Sequence, residues 1–277
     1  METSSAETGQ GSCRVNARRR RAALIVLILA GMGISSLPRA AVSASRCKAP
    51  QELVQFKAPL SRLARAFATK EGEIKIIALG SSTTAGAGAG DPRACYPARL
   101  EVELNARYPN KRFQLMNLGA GGQLASDMLA RIRSVVLPQQ PSLVIWQTGV
   151  TDALWNVGVD SFRNTLQSGI DELTAHDIDV ILLDMQFYPR AEQMAGYRDY
   201  LAAMWEVGKE KDVPVLHRFK IMKYWVASAQ FSPDQLVAPD HVHPNDLTYG
   251  CLADLLADSI QDGLGRSLSH LTSPRRR

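Results

Sequence analysis

The stretch IIALGSSTTAGAGAG, residues 76–90, decides how the chain is read. An apolar run stops at Gly80, four hydroxyl residues follow, and the sequence then alternates between Gly and Ala. Two chemistries begin this way. A strand ending in a sharp turn can hold a Ser out as a nucleophile, and a glycine-rich turn after a strand can cradle a phosphate. The phosphate reading fails on spacing. It needs a Lys before the final Ser or Thr of a Gly-x-x-x-x-Gly turn, and no Lys lies between Lys75 and Lys111. A dinucleotide turn needs Gly-x-Gly-x-x-Gly, whereas Gly86, Gly88 and Gly90 are spaced evenly by two. What remains is a nucleophile turn, or hydroxyls that only cap a helix.

Around this stretch, five short β-rich runs (74–79, 113–118, 143–146, 180–185 and 214–217) alternate with stretches of helical period. Leu60, Leu63, Ala64 and Phe67 give the i, i+3, i+4, i+7 spacing of a helix before the first strand. Residues 96–108, 124–136, 161–175 and 191–211 fill the crossovers, and a last helix begins after Pro244 and runs to about Gly263. Alternation of strand and helix predicts an α/β domain: three layers, α/β/α, around a mainly five-stranded parallel sheet. KIIAL, SLVIW and DVILLDM are nearly continuous apolar runs, as strands buried on both faces require. Functional groups are expected where such strands end at their carboxyl edges.

The first 44 residues read as a leader. Arg18 to Arg21 are followed by sixteen uncharged residues, 22–37, and by the small-x-small sequence Val42-Ser43-Ala44. This predicts export to the periplasm or medium after cleavage. The alternative is an uncleaved membrane anchor, since the run falls only a little short of the roughly 20 residues a spanning helix needs. Setting aside the six Arg and two Glu before residue 45 leaves 26 basic and 25 acidic side chains of the 32 and 27 in the whole chain. A balance this even gives no electrostatic reason to expect nucleic acid. The boundaries follow: a signal peptide at 1–44, an N-terminal extension with a helix at 45–73, the main domain at 74–265 and a disordered basic tail at 266–277. Of the cysteines beyond the leader, Cys251 sits among Leu252, Leu255 and Leu256 and reads as a buried thiol, which leaves Cys47 with Cys95 as the expected disulfide.

Four blocks carry chemistry. Gly80-Ser81-Ser82-Thr83 follows the first strand, NLGAGGQ (117–123) the second and QTGVTDAL (147–154) the third. PDHVHPND (239–246) precedes the last helix. A Ser is a feeble nucleophile without a base, and the base needs a third group to fix its tautomer. Asp240 and His243, three apart at the mouth of a helix, meet that need. His176, His217 and His270 lack an acid partner at a catalytic edge. His241 and His243 with Asp240 form an alternative metal cluster, but nothing else gathers there to complete the three or four ligands zinc ordinarily takes.

In chain order, the four blocks resemble those of the SGNH hydrolases, the GDSL-type esterases and lipases, over residues 74–260. The resemblance implies a flavodoxin-like fold with Ser82 as nucleophile, His243 as base and Asp240 as its orienter. Ser82, Gly122 and Thr151 would form the oxyanion hole. Ser81 stands where that family has Asp, and Thr151 where it has an Asn amide, so one oxyanion donor is altered in reach and direction. The implied activity is an exported serine esterase acting on a small ester, for example a carbohydrate O-acetyl group, with no metal or organic cofactor. Lipid esters, thioesters and a non-catalytic carbohydrate-binding or assembly role on the same fold are the alternatives.

Overall fold

The computed structural model of the chain describes residues 47–69 and 72–272. The leader lies outside the described residues, as does the Arg275 to Arg277 end of the tail. Helices α1 (Gln51–Val54) and α2 (Ser61–Ala68) precede strand β1 (Glu73–Gly80). There follow α3 (Ser82–Ala85), α4 (Tyr96–Arg107), β2 (Arg112–Gly119), α5 (Ala125–Arg131), β3 (Leu143–Gln147), α6 (Val150–Leu154) and α7 (Val159–Ala175). The chain then continues through β4 (Asp179–Leu183), α8 (Tyr197–Glu210), β5 (Val215–Leu216), α9 (Arg218–Ala227) and α10 (Asp246–Thr272).

All the strands pair in parallel, in the order β2-β1-β3-β4-β5. Helix α10 packs on α2 and α4, and α7 on α5 and α8, so the sheet is the middle of three layers. Strands β3 and β4 are buried along their whole length, which is why their sequences are apolar runs without alternation. The chain leaves β1 for β2 on one side and later returns to β3 on the other. Crevices form at such a reversal, just beyond the carboxyl ends of the two strands. In register, Gly80 lies opposite Gly119 of β2 and Gln147 of β3, so three of the four chemical blocks begin side by side.

Two helical features depart from expectation. Residues 218–227, RFKIMKYWVA, form α9, although their mixture of cations and aromatics shows no clean helical stripe. Helix α10 does not stop near Gly263; its last nine residues extend to Thr272, so the described part of the expected disordered tail is helical. The reason is docking. Ser267 Oγ accepts the Leu60 N–H at 3.0 Å, Leu264 is buried, and Arg266 bonds both the Phe56 carbonyl and Asp262 one turn back. Tertiary contacts of this kind outweigh the cost of about 1 kcal/mol per glycine at Gly263 and Gly265.

The expected Cys47–Cys95 disulfide does not form; Cys47 is bonded instead to Cys251, whose Cα is 5.3 Å away. The N-terminal segment crosses the face of α10 that carries Cys251, and both residues are buried there. Pairing follows that three-dimensional approach across 204 residues of sequence. Closing a loop of that length removes unfolded-state entropy worth about 5 kcal/mol in the chain-entropy model. The expected outcome of Cys251→Ser is a loss of about 2–5 kcal/mol in urea unfolding, and a non-reduced digest of the parent should yield a linked Cys47–Cys251 peptide.

Candidate active site

Helix α3 begins immediately after β1, and its geometry follows from one close approach. A β-carbon on Gly80 would overlap the Thr84 hydroxyl, so only Gly lets the strand fold back so sharply. The turn is fixed from below by Gln147, a fully buried side chain at the end of β3. Its Oε1 accepts the Ser81 N–H at 3.2 Å and the Thr84 hydroxyl at 3.0 Å, while its Nε2 donates to Ser81 Oγ at 3.2 Å. Ser81 and Thr84 are thereby structural hydroxyls, and Ser82, only partly buried, is left facing outward. The sequence reading missed Gln147; its one signal is a polar residue ending an otherwise apolar strand.

His243 Nε2 stands 2.8 Å from Ser82 Oγ, and His243 Nδ1 stands 2.6 Å from Asp240 Oδ2. The other Asp240 oxygen accepts the N–H groups of Val242 and His243, each at 2.9 Å. Partial burial works to raise the Asp240 pKa, but the hydrogen bonds from the His243 ring and the two N–H groups prevail and hold it below the usual carboxylate range. The carboxylate is therefore ionised at neutral pH and accepts from Nδ1–H, which leaves the Nε2 lone pair facing the Ser82 hydroxyl. These three groups form one hydrogen-bonded chain.

The loop that carries His243 is held from three directions. Asn245 caps α10 by accepting the Thr248 N–H at 3.1 Å and donates to the Gln235 and Val237 carbonyls at 2.9 and 3.1 Å. Ala238 N–H donates to the His243 carbonyl at 2.8 Å. The third hold is the Gly-Ala alternation itself. Gly88 has φ +87°, and a β-carbon there would run into the Pro244 carbonyl and crowd His243 Cβ. Gly90 N–H donates to Asp246 at 2.9 Å, and the Tyr249 hydroxyl reaches the carbonyls of Thr83 and Ala87 at 3.0 and 2.6 Å. The Gly-Ala alternation is thus a seat for the His243 loop.

Gly122 and Thr151 lie beyond the ends of β2 and β3, on either side of the Ser82 turn. Gly122 is exposed with φ +74°, and the buried Thr151 stands in the first turn of α6. No described residue hydrogen-bonds the Thr151 hydroxyl. Asp152 joins the two loops by accepting the Ala125 N–H at 3.0 Å and the Thr148 hydroxyl at 3.3 Å. Burial pushes the Asp152 pKa up, and those donors pull it back only in part. His241 Nδ1 lies 3.8 Å from Asp234 Oδ1, and no group of three or more His, Cys, Asp or Glu among the described residues is placed to hold a metal.

The model of the Non-GDSL lipase-like family matches residues 46–266. No curated protein matches the chain in sequence. Among solved structures, a two-domain esterase, CEX, active on acetylated mannans superposes with a TM-score of 0.62 at 21% identity, over 80% of this chain and 56% of its own. A lipase/acylhydrolase from Enterococcus faecalis gives 0.58 at 24% identity over 70% and 96% of the two chains. The acetyl xylan esterase AlAXEase gives 0.58 at 22% over 68% and 100%. The chain thus spans little more than half of the mannan esterase, and at these identities what it shares with all three is the fold.

Gly88 offers a direct check on the seat. Gly88→Ala forces a strained φ and a clash with main-chain atoms, so it should cost more than about 1 kcal/mol in urea unfolding. The backbone amide signals of residues 238–246 should shift in an NMR spectrum, with those of β3 and β4 little changed.

Proposed function

Because the chain belongs to the Non-GDSL lipase-like family, we propose that it is a serine esterase that hydrolyses carboxylic esters through Ser82. The observation that carries this reading is the continuous chain from Ser82 Oγ through His243 to Asp240. The Ser82 oxygen attacks the ester carbonyl while its proton passes to His243 Nε2, and the ionised Asp240 stabilises the imidazolium. Collapse of the tetrahedral intermediate expels the alcohol, which takes that proton from His243. Water, activated by the same His243, then attacks the acyl-enzyme, releases the carboxylic acid and restores the Ser82 hydroxyl.

The tetrahedral oxyanion falls to the main-chain N–H groups of Ser82 and Gly122 and to the Thr151 hydroxyl. The uncommitted state of that hydroxyl supports its role, since a donor already bonded in the protein would have to be freed first. The chemistry asks for no metal or organic cofactor. The substrate class we propose is an acylated carbohydrate, in line with the acetylated mannans on which the fold relative CEX is active. We also assign the protein to the periplasm or the medium. The Cys47–Cys251 disulfide supports this, because such bonds persist in oxidising compartments. No helix among the described residues is long and apolar enough to cross a membrane.

Hydrolysis of a short aryl ester tests the core of the proposal. Ser82→Ala should lower kcat by about 10⁴-fold or more, and Asp240→Asn, which cannot hold the Nδ1–H tautomer, by about 10³–10⁴-fold. A serine-directed phosphonate should add its mass to the Ser82 peptide alone. Equal activity of the parent and Ser82→Ala, or inactivity of both across a broad ester panel, would sink the reading.

Thr151 makes a separate claim. Thr151→Val should reduce kcat by about 10²-fold while KM changes far less, because the lost bond is made chiefly to the transition state. An unchanged kcat would assign the oxyanion to the main-chain donors alone.

A further inference from the structure

We propose that the indole of Trp155 is the platform on which the sugar ring of an acylated carbohydrate stacks while its ester is held at Ser82. This inference rests on the esterase reading for its location and extends it to the alcohol side of the substrate. Four observations carry it.

The first is exposure. Trp155 is 75% exposed and Leu154, beside it, 57%, making adjacent apolar side chains in water. A single exposed hydrophobe needs no explanation, but an aromatic and an aliphatic side chain side by side at the end of the helix that carries Thr151 offer a contact surface. The second is commitment. The other three tryptophans each place their indole N–H on a partner: Trp146 on Met128, Trp205 on Asp184 and Trp225 on the Lys48 carbonyl. No such bond ties the Trp155 indole among the described residues.

The third is place. Trp155 follows directly on α6 and Thr151 stands in its first turn four residues earlier, so one short helix carries both, with β-carbons about 5–6 Å apart by helical spacing. The fourth is rigidity. Trp155 N–H donates to the Thr151 carbonyl at 3.0 Å, and Val157 N–H reaches back to the Asp152 carbonyl at 3.1 Å across a left-handed Asn156. Gly158 N–H then donates to the Tyr200 hydroxyl at 3.1 Å. The helix end is closed and anchored on α8, so an exposed indole is presented on a fixed backbone.

The shape of this surface selects its ligand. An acyl chain gains most when it is enclosed, and a side chain three-quarters exposed encloses nothing. A pyranose ring has one apolar C–H face and an edge of hydroxyls. It can cover a flat indole with that face while its hydroxyls stay hydrated, which suits an aromatic at a wet rim.

The test uses the full chain and two esters, an acetylated xylo-oligosaccharide and an aryl acetate. Trp155→Ala should lower the ratio of kcat/KM for the oligosaccharide to that for the aryl acetate about tenfold, mainly through KM for the oligosaccharide. Trp155→Phe should restore much of it. A ratio unmoved by Trp155→Ala overturns the proposal, as does an equal loss on both esters. Binding supplies a readout independent of turnover. In titration calorimetry, Ser82→Ala should bind the acetylated oligosaccharide about tenfold more tightly than Ser82→Ala/Trp155→Ala, and equal affinity or no binding by either protein overturns the platform. Retained, Trp155-dependent binding by a parent that hydrolyses neither ester would instead overturn the esterase reading and leave the platform standing.

Discussion

The contact between the Gly-Ala loop and the loop of His243 is the constraint on which the site depends. Ser82 and His243 are 161 residues apart, and a hydrogen bond of 2.8 Å between them survives only if both backbones are fixed within a fraction of an ångström. The missing side chain of Gly88 lets the Pro244 carbonyl settle against the loop that follows α3. Gly90 N–H and the Tyr249 hydroxyl then bind α10 to that same loop. Nucleophile and base are therefore set by a main-chain fit, and the hydrogen bond between their side chains follows from it.

A second device recurs around the sheet: helices capped by carboxylates from elsewhere in the fold. Asp179, at the start of β4, accepts the N–H groups of Arg62 and Leu63 in the first turn of α2, at 2.9 and 2.8 Å. Asp152 accepts from Ala125 at the start of α5, and Asp184 from Phe219 at the start of α9 at 2.9 Å. Each carboxylate is buried, and burial alone raises the pKa of Asp152 and Asp179. Unsatisfied N–H groups and the positive end of a helix offset that penalty, so each pair solves two problems at once. Asp152 matters most for chemistry, because it ties the Gly122 loop to the helix that carries Thr151.

This pattern explains what could be read from the sequence and what could not. Parallel strands buried on both faces must be largely apolar, so β1, β3 and β4 were visible as runs, while the edge strand β2 alternates between buried and exposed positions in its first half. Ser82, Asp240 and His243 were visible because their chemistry demands fixed residue types, and Asp240 lies near His243 in sequence. Helix α9 was hidden, since its first turn is capped by Asp184, just past the end of β4, and the residue before it, His217, makes no side-chain cap. Gln147 was hidden for a similar reason: its partners, Ser81 and Thr84, lie more than 60 residues away. The disulfide was misread because helical neighbours made Cys251 look like a core thiol, whereas what matters is the segment that crosses that helix.

The same crossing gives the N-terminal segment a role in the geometry of the site. Helix α10 carries the His243 loop at its start and is held along its length by residues that precede β1. Cys251 is bonded to Cys47, Ser259 Oγ donates to the Val54 carbonyl at 2.5 Å, and Ser267 accepts from Leu60. A 27-residue helix would otherwise be free to tilt on the sheet surface, and a small rotation along it moves its first residues most. Straps spaced along the helix convert that freedom into a fixed axis. The extension before β1 thus fixes the axis of α10 from its second turn almost to its end, and with it the loop at its start that carries the base.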